Sequence, residues 1–129
     1  MPGRVLLDTT AIIALFGRDP AVIAVLSEVE ATFIPTIALG ELFYGAAKSE
    51  HADRNVARIE EFTRAQTVLP VNTETAAVYG RVKNQLRQHG RPIPENDIWI
   101  AAIALQYDLD LAARDAHFAE VEGLRLLNW

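Results

Sequence analysis

Pro94-Glu95-Asn96-Asp97-Ile98-Trp99-Ile100-Ala101-Ala102-Ile103-Ala104-Leu105 is apolar on every side of a helical wheel from Ile98 onward. A helix without a polar stripe is a buried one. Pro92 and Pro94 stop any earlier helix, and Asn96 has N-cap chemistry. Yet the first turn carries Asp97, with Glu95 just ahead. A carboxylate at the mouth of a buried helix must be paired, hydrogen-bonded or metal-bound, because burial disfavours its charge. The dipole and free N–H groups of that turn favour an anion there. Either Asp97 merely completes the cap, or the rest of the chain supplies its partners.

Outward from this helix, apolar runs alternate with helical patterns. Val5-Leu6-Leu7 reads as a buried strand ending at Asp8-Thr9-Thr10. Thr9 or Thr10 is then expected to cap a helix over residues 11–16, with Gly17-Arg18-Asp19-Pro20 as a turn and a second helix over about 21–29. Thr32-Phe33-Ile34 is a second strand, and Thr36 is the expected cap of a helix to about Lys48. Leu39, Leu42, Phe43 and Ala46 form its main apolar face. Glu41 lies opposite, in a row with Ile37, Tyr44 and Lys48, so that row faces solvent, a cleft or another subunit. A charged helix over 50–65 buries Val56, Ile59 and Phe62, and Thr67-Val68-Leu69 is a third strand. Asn72 caps a long helix to about His89 with Val78, Tyr79, Val82 and Leu86 facing inward. Its outer face and the next turn carry Arg81, Lys83, Arg87, His89 and Arg91, a solvated face or a contact to phosphates. Strands are expected over 109–113 and 124–127, with Asp115 capping a short turn and Gly123 as a breaker. The fold class is therefore α/β, a mostly parallel central sheet with helices on both faces.

At 129 residues and 50% hydrophobic content, the expectation is one domain over 1–129 with a real core. No apolar run reaches the length of a membrane span, so no membrane partner is expected. The absence of cysteine excludes disulfides, thiolate metal sites and cysteine catalysis, and fits a cytoplasmic location. The formal net charge of -5 argues against broad electrostatic binding of nucleic acid. No serine has a nucleophile-elbow context, and the glycines form no phosphate loop. His51, His89 and His117 are dispersed without metal-ligand spacing, and His117 is expected to pack or cap near Phe118.

In a parallel sheet, ligands sit beyond the carboxyl ends of the strands. Asp8 ends the first strand and Asp115 follows the fourth. Asp97 starts the helix leading into that fourth strand, and Glu41 lies one turn into the helix after the second. These carboxylates can converge on one edge, where their repulsion would call for one or two divalent cations. Oxygen-only ligands favour Mg²⁺ or Mn²⁺ over Zn²⁺. Such a site suits phosphodiester hydrolysis, and a cation in the acidic pocket would answer the objection from net charge.

Val5–Thr10, Ala38–Ala46, Ile93–Ala102 and Arg114–Phe118 resemble the four motif blocks of PIN-domain proteins, and more closely those of the toxin ribonucleases of VapBC toxin–antitoxin pairs. The resemblance covers the whole chain. It implies a three-layer α/β/α sandwich, an Mg²⁺- or Mn²⁺-dependent endoribonuclease acting on RNA, a homodimer, and a cognate antitoxin that blocks the site. By motif position Asp8, Glu41, Asp97 and Asp115 fall on the acidic metal-site residues, and Thr9 on the hydroxyl that orders the site. One departure is Ala113, where similar proteins often carry Thr two residues before the last Asp. The alternative is a non-catalytic module of the same fold that binds nucleic acid or protein. A partner helix is expected in a groove between the helix over 11–16 and the row from Ile37 to Tyr44.

Overall fold

The structure, a computed structural model, describes residues 3–129. β1 (Arg4–Leu7) is followed by α1 (Thr9–Phe16) and α2 (Pro20–Leu26), then β2 (Ala31–Pro35). α3 (Thr36–Ala47) and α4 (Ala52–Arg64) lead to β3 (Thr67–Leu69). α5 (Thr73–Gln88) and α6 (Glu95–Gln106) lead to β4 (Asp110–Ala112), and a 3-10 turn over Ala116–Glu120 precedes β5 (Leu126–Leu127). The sheet order is β3-β2-β1-β4-β5, and every pairing among the described strands is parallel.

β1 sits in the middle because it is apolar on both faces: Val5 and Leu6 are fully buried and Leu7 is 1% exposed. The chain first winds outward from β1 to β3, then returns to β4 on the other side of β1. With right-handed crossovers, that reversal carries α5 and α6 to the face opposite α1–α4. One apolar core joins the sheet to α1, α3, α4 and the inner residues Ile100 and Ile103 of α6. A second packs Val78, Val82 and Leu86 of α5 against Ile98, Ala101 and Ala102 of α6. α6 thus contributes to both cores, as its all-round apolar sequence requires. Trp99 stacks on Tyr79 at 3.9 Å between ring centroids. No single helix among the described residues is long and apolar enough to cross a membrane.

The helix starts differ from expectation in an instructive way. Asp8, not Thr9 or Thr10, caps α1, its Oδ1 accepting from the Ala11 N–H at 2.7 Å. Pro35 and Pro94 occupy the cap positions of α3 and α6, without side-chain cap bonds. Thr36 and Asn96 therefore lie inside their helices. The proline ring holds φ at -78° in Pro35 and -54° in Pro94, values compatible with a helix start. The Thr36 hydroxyl instead donates to the Leu69 carbonyl at 2.9 Å and ties α3 to β3. α2 stops at Leu26 because the chain must turn back, where the Glu30 and Ala31 N–H groups both reach the Gly3 carbonyl. α4 starts at Ala52, and β4 and β5 are shorter than expected. Gly123 breaks the chain at φ 81°, a left-handed conformation.

Candidate active site

Asp8, Glu41, Asp97 and Asp115 are delivered to the carboxyl-terminal side of the sheet by four different connections. Asp8 follows β1 and is 3% exposed. The cap bond to Ala11 fixes one of its oxygens and leaves the other to offer. Glu41 is half-buried in α3, where Oε1 accepts from the Thr9 hydroxyl at 2.7 Å. Thr9 is the first residue of α1, so Thr9 and Asp8 are placed by the same helix start. Asp97 lies in the first turn of α6. Asp115 follows β4, exposed, at the start of the 3-10 turn, and its side chain makes no cap bond.

These acids lie near enough to one another to repel. Asp8 is pushed up from 3.8 to about 6, first by burial. The Ala11 N–H works against that shift, and repulsion from Asp97, Asp115 and Glu41 adds to it. Asp97 is also raised, chiefly by burial, against the stabilising hydrogen bond and charge of His117. Its remaining upward pushes come from Glu41 and Asp115.

His117 adjoins these acids, a contact the sequence reading did not include. Its ring does pack beside Phe118, with centroids 4.8 Å apart. But Nε2 lies 2.8 Å from Oδ2 of Asp97, and Asp97, Asp115 and His117 offer ligand atoms all within 4.8 Å of one another. The pairing spans 20 residues, so local spacing could not reveal it. The only signal in the sequence was a nitrogen donor two residues after an acid in a turn.

Beside Glu41 opens a groove of about 250 Å³, walled by Thr9, Ile13 and Phe16 of α1, Leu42 of α3, and Arg58 and Ile59 of α4. Arg58 donates to the Phe16 carbonyl at 2.7 Å and lies over the Phe16 ring. Ile37 and Tyr44 do not line this groove: α3 walls it through Glu41, Leu42, Gly45 and Ala46 instead, and α4 adds a further wall. A larger cavity of about 580 Å³ lies between α5 and the start of α6, lined by Leu86, Ile93, Ile98, Lys83 and Arg87 among others, with none of the four acids. The basic stretch of α5 and the turn after it is partly neutralised: Lys83 pairs with Glu95 at 3.2 Å, and Arg91 with Glu120 at 3.9 Å. Ala113 is buried at 1% exposure and, being alanine, offers the site no hydroxyl.

Residues 5–124 match the PIN domain family. Among curated proteins, Ribonuclease VapC2 of Haemophilus influenzae is 37% identical over 98% of each chain. The tRNA(fMet)-specific endonuclease VapC of Shigella flexneri is 35% identical over 74% of each. Among solved structures, DNA-bound VapBC from Salmonella typhimurium superposes with a TM-score of 0.88 at 29% identity, over 98% of each chain.

Proposed function

The chain belongs to the PIN-domain family, and on that premise we propose that it is a divalent-metal-dependent endoribonuclease acting as the toxin of a toxin–antitoxin pair. The observation that carries the reading is the convergence of Asp8, Glu41, Asp97 and Asp115, strong enough that mutual repulsion adds to the rise at Asp8. A pocket of this charge is stable at neutral pH only if something positive offsets it. Carboxylate oxygens suit Mg²⁺ or Mn²⁺, and the donor set fits such a cation.

In this reading Asp8, Asp97 and Asp115 hold the cation, with Glu41 completing the acidic wall. When bound, the cation would supply Lewis-acid stabilisation of the charge that builds on the scissile phosphate. Thr9 keeps Glu41 turned into the pocket through its 2.7 Å hydrogen bond. Burial of Asp8 keeps water from screening the site on its inner side. The exposed basic residues Arg81 and Arg87 of α5 would hold flanking phosphates of the RNA. The whole of 1–129 acts as one domain, a homodimer in the cytoplasm.

The partner would be a cognate antitoxin. Its cationic side chain, preferably Arg, would enter among the four carboxylates, and an amphipathic helix would lie in the groove between α1 and α4. Likeness to a solved VapBC complex supports such a partner.

The test is RNA cleavage by purified protein with EDTA, Mg²⁺ or Mn²⁺. Wild type should cut only with metal. Asp97→Asn should fold yet lose ~10²–10³-fold in rate, the size expected when one electrostatic group of a site is removed. Wild-type rates from Asp97→Asn would sink the assignment. In cells, expression alone should arrest growth, and Asp8→Ala should abolish the arrest. Growth unaffected by soluble, active protein would defeat the toxin reading while leaving a ribonuclease.

A further inference from the structure

We propose that His117 is a positioning residue for Asp97 and thereby sets how tightly the pocket holds a divalent cation. The inference rests on the reading of the four acids as a cation site.

An ionised carboxylate can only accept, so at 2.8 Å the Nε2–H of His117 donates to Oδ2 of Asp97. That assigns the tautomer of a neutral ring: the proton is on Nε2. The ring direction is itself fixed. Its neighbour Phe118 is 1% exposed and anchors the turn in the core, while the ring packs on Phe118 at 46° between planes. The Phe118 N–H donates to the Asp115 carbonyl, so Asp115 and His117 are carried by one short turn. The hydrogen bond joins that turn to the start of α6.

The consequence falls on Asp97. Its carboxylate is free to rotate about the last side-chain bond, and repulsion from Asp115 and Glu41 favours rotation away from the pocket. Donation to Oδ2 opposes that rotation and leaves Oδ1 for a cation. Hydrogen bonds of this kind to ligating side chains tune metal affinity. With Nε2 committed to Asp97, His117 acts through that carboxylate and not as a ligand.

The experiment is Mn²⁺ binding to metal-free protein, by calorimetry and by electron spin-echo spectroscopy of the bound ion. His117→Ala should weaken Mn²⁺ by ~10–100-fold, while His117→Gln, whose Nε2 donates from nearly the same reach, should stay within about 3-fold of wild type. His117→Asn, polar but too short, should behave like His117→Ala, and it preserves the contrast if the alanine variant fails to fold. A role in packing alone would not be rescued selectively by Gln. Wild-type Mn²⁺ should show no imidazole nitrogen coupling. Unchanged affinity in both His117→Ala and His117→Asn overturns the proposal. Strong nitrogen coupling with no rescue by Gln also overturns it, in favour of direct ligation. Wild type that binds no Mn²⁺ at millimolar concentration removes the cation site itself, and the proposal with it.

Discussion

At Asp8 the Ala11 N–H stabilises the carboxylate, while burial and three neighbouring acids oppose its ionisation and raise it to about 6. Folding therefore raises the affinity of this group for its proton. A raised carboxyl stabilises the fold fully below its unfolded value of 3.8, and that stability is lost as pH rises through about 6. The span corresponds to about 3 kcal/mol. Asp8→Asn removes the titration, and its amide oxygen can still accept from Ala11. In metal-free buffer the stability of Asp8→Asn relative to wild type should climb by about that amount between pH 4 and pH 7. Urea titrations at several pH values measure it, and a difference that stays flat contradicts the raised carboxyl at Asp8. Saturating Mn²⁺ should erase much of the advantage, because the cation stabilises only the wild-type carboxylate. The placement of Asp8 just past a buried strand was legible in Val5-Leu6-Leu7-Asp8, since an apolar run ending in an acid marks a strand end. Its second task as the cap of α1 was hidden by Thr9 and Thr10, which have the same chemistry. His117 was hidden more deeply, because its partner Asp97 is brought to it only by the packing of α6 against the sheet.

Among the helix starts, α5 alone of the four with an expected Thr or Asn cap begins as expected. Pro70 stands two residues before Asn72 and so leaves it the cap position, whereas Pro35 and Pro94 stand directly before α3 and α6 and take it there. The Asn72 side chain accepts from the Thr75 N–H at 3.1 Å, and the Asn72 N–H donates to the Thr75 hydroxyl. Gln106, at the far end of α6, donates its amide to the same Asn72 oxygen at 3.0 Å. Thr75 is fully buried, so this small network also closes a polar gap between the helices. Asn72→Ala removes the cap and leaves the Gln106 amide without that acceptor. It should cost about 1–2 kcal/mol of stability, the upper part of the range for a lost cap. RNA cleavage at 25 °C should be unchanged, because Asn72 belongs to none of the connections that carry the acids. A thermal melt and a rate measurement on the same sample separate the two effects. Loss of activity without loss of stability would mean that α5 steers α6, and hence Asp97, more directly than its packing suggests. Helix existence was legible here from apolar periodicity, but the clasp at Gln106 was not, because it pairs residues 34 apart.

For the whole molecule, alternation of strand and helix was enough to read a parallel sheet, and the acids at strand ends were enough to place them on one edge. The strand order was not legible, and it is what makes the cleft: β1 has β2 on one side and β4 on the other, so connections leaving those strands diverge above it. The same view leaves apolar side chains of α3 incompletely covered, with Ile37 only partly buried against the first core. Tyr44 is 68% exposed on α3 with Lys48 over its ring, and Ile37 one turn before Glu41 is half-buried. Neither lines the groove beside Glu41, so that groove cannot account for them. A self-complementary interface would cover them. A stable one buries about 800 Å² per partner, and the surface here totals 7256 Å², so roughly a ninth would suffice. Exposed aromatic residues at the centre of such a patch carry much of the binding energy. The expectation is a dimer of a 14.3 kDa chain, seen as a mass near twice that value by light scattering at micromolar concentration. Tyr44→Asp should weaken it by about 2 kcal/mol or more, roughly 30-fold in affinity, and shift the mass toward monomer with the melting temperature of a diluted sample unchanged. A wild-type mass that stays at one chain across concentration removes the dimer. A dimer indifferent to Tyr44→Asp and to Ile37→Asp places the interface elsewhere, and the apolar row on α3 then serves another partner.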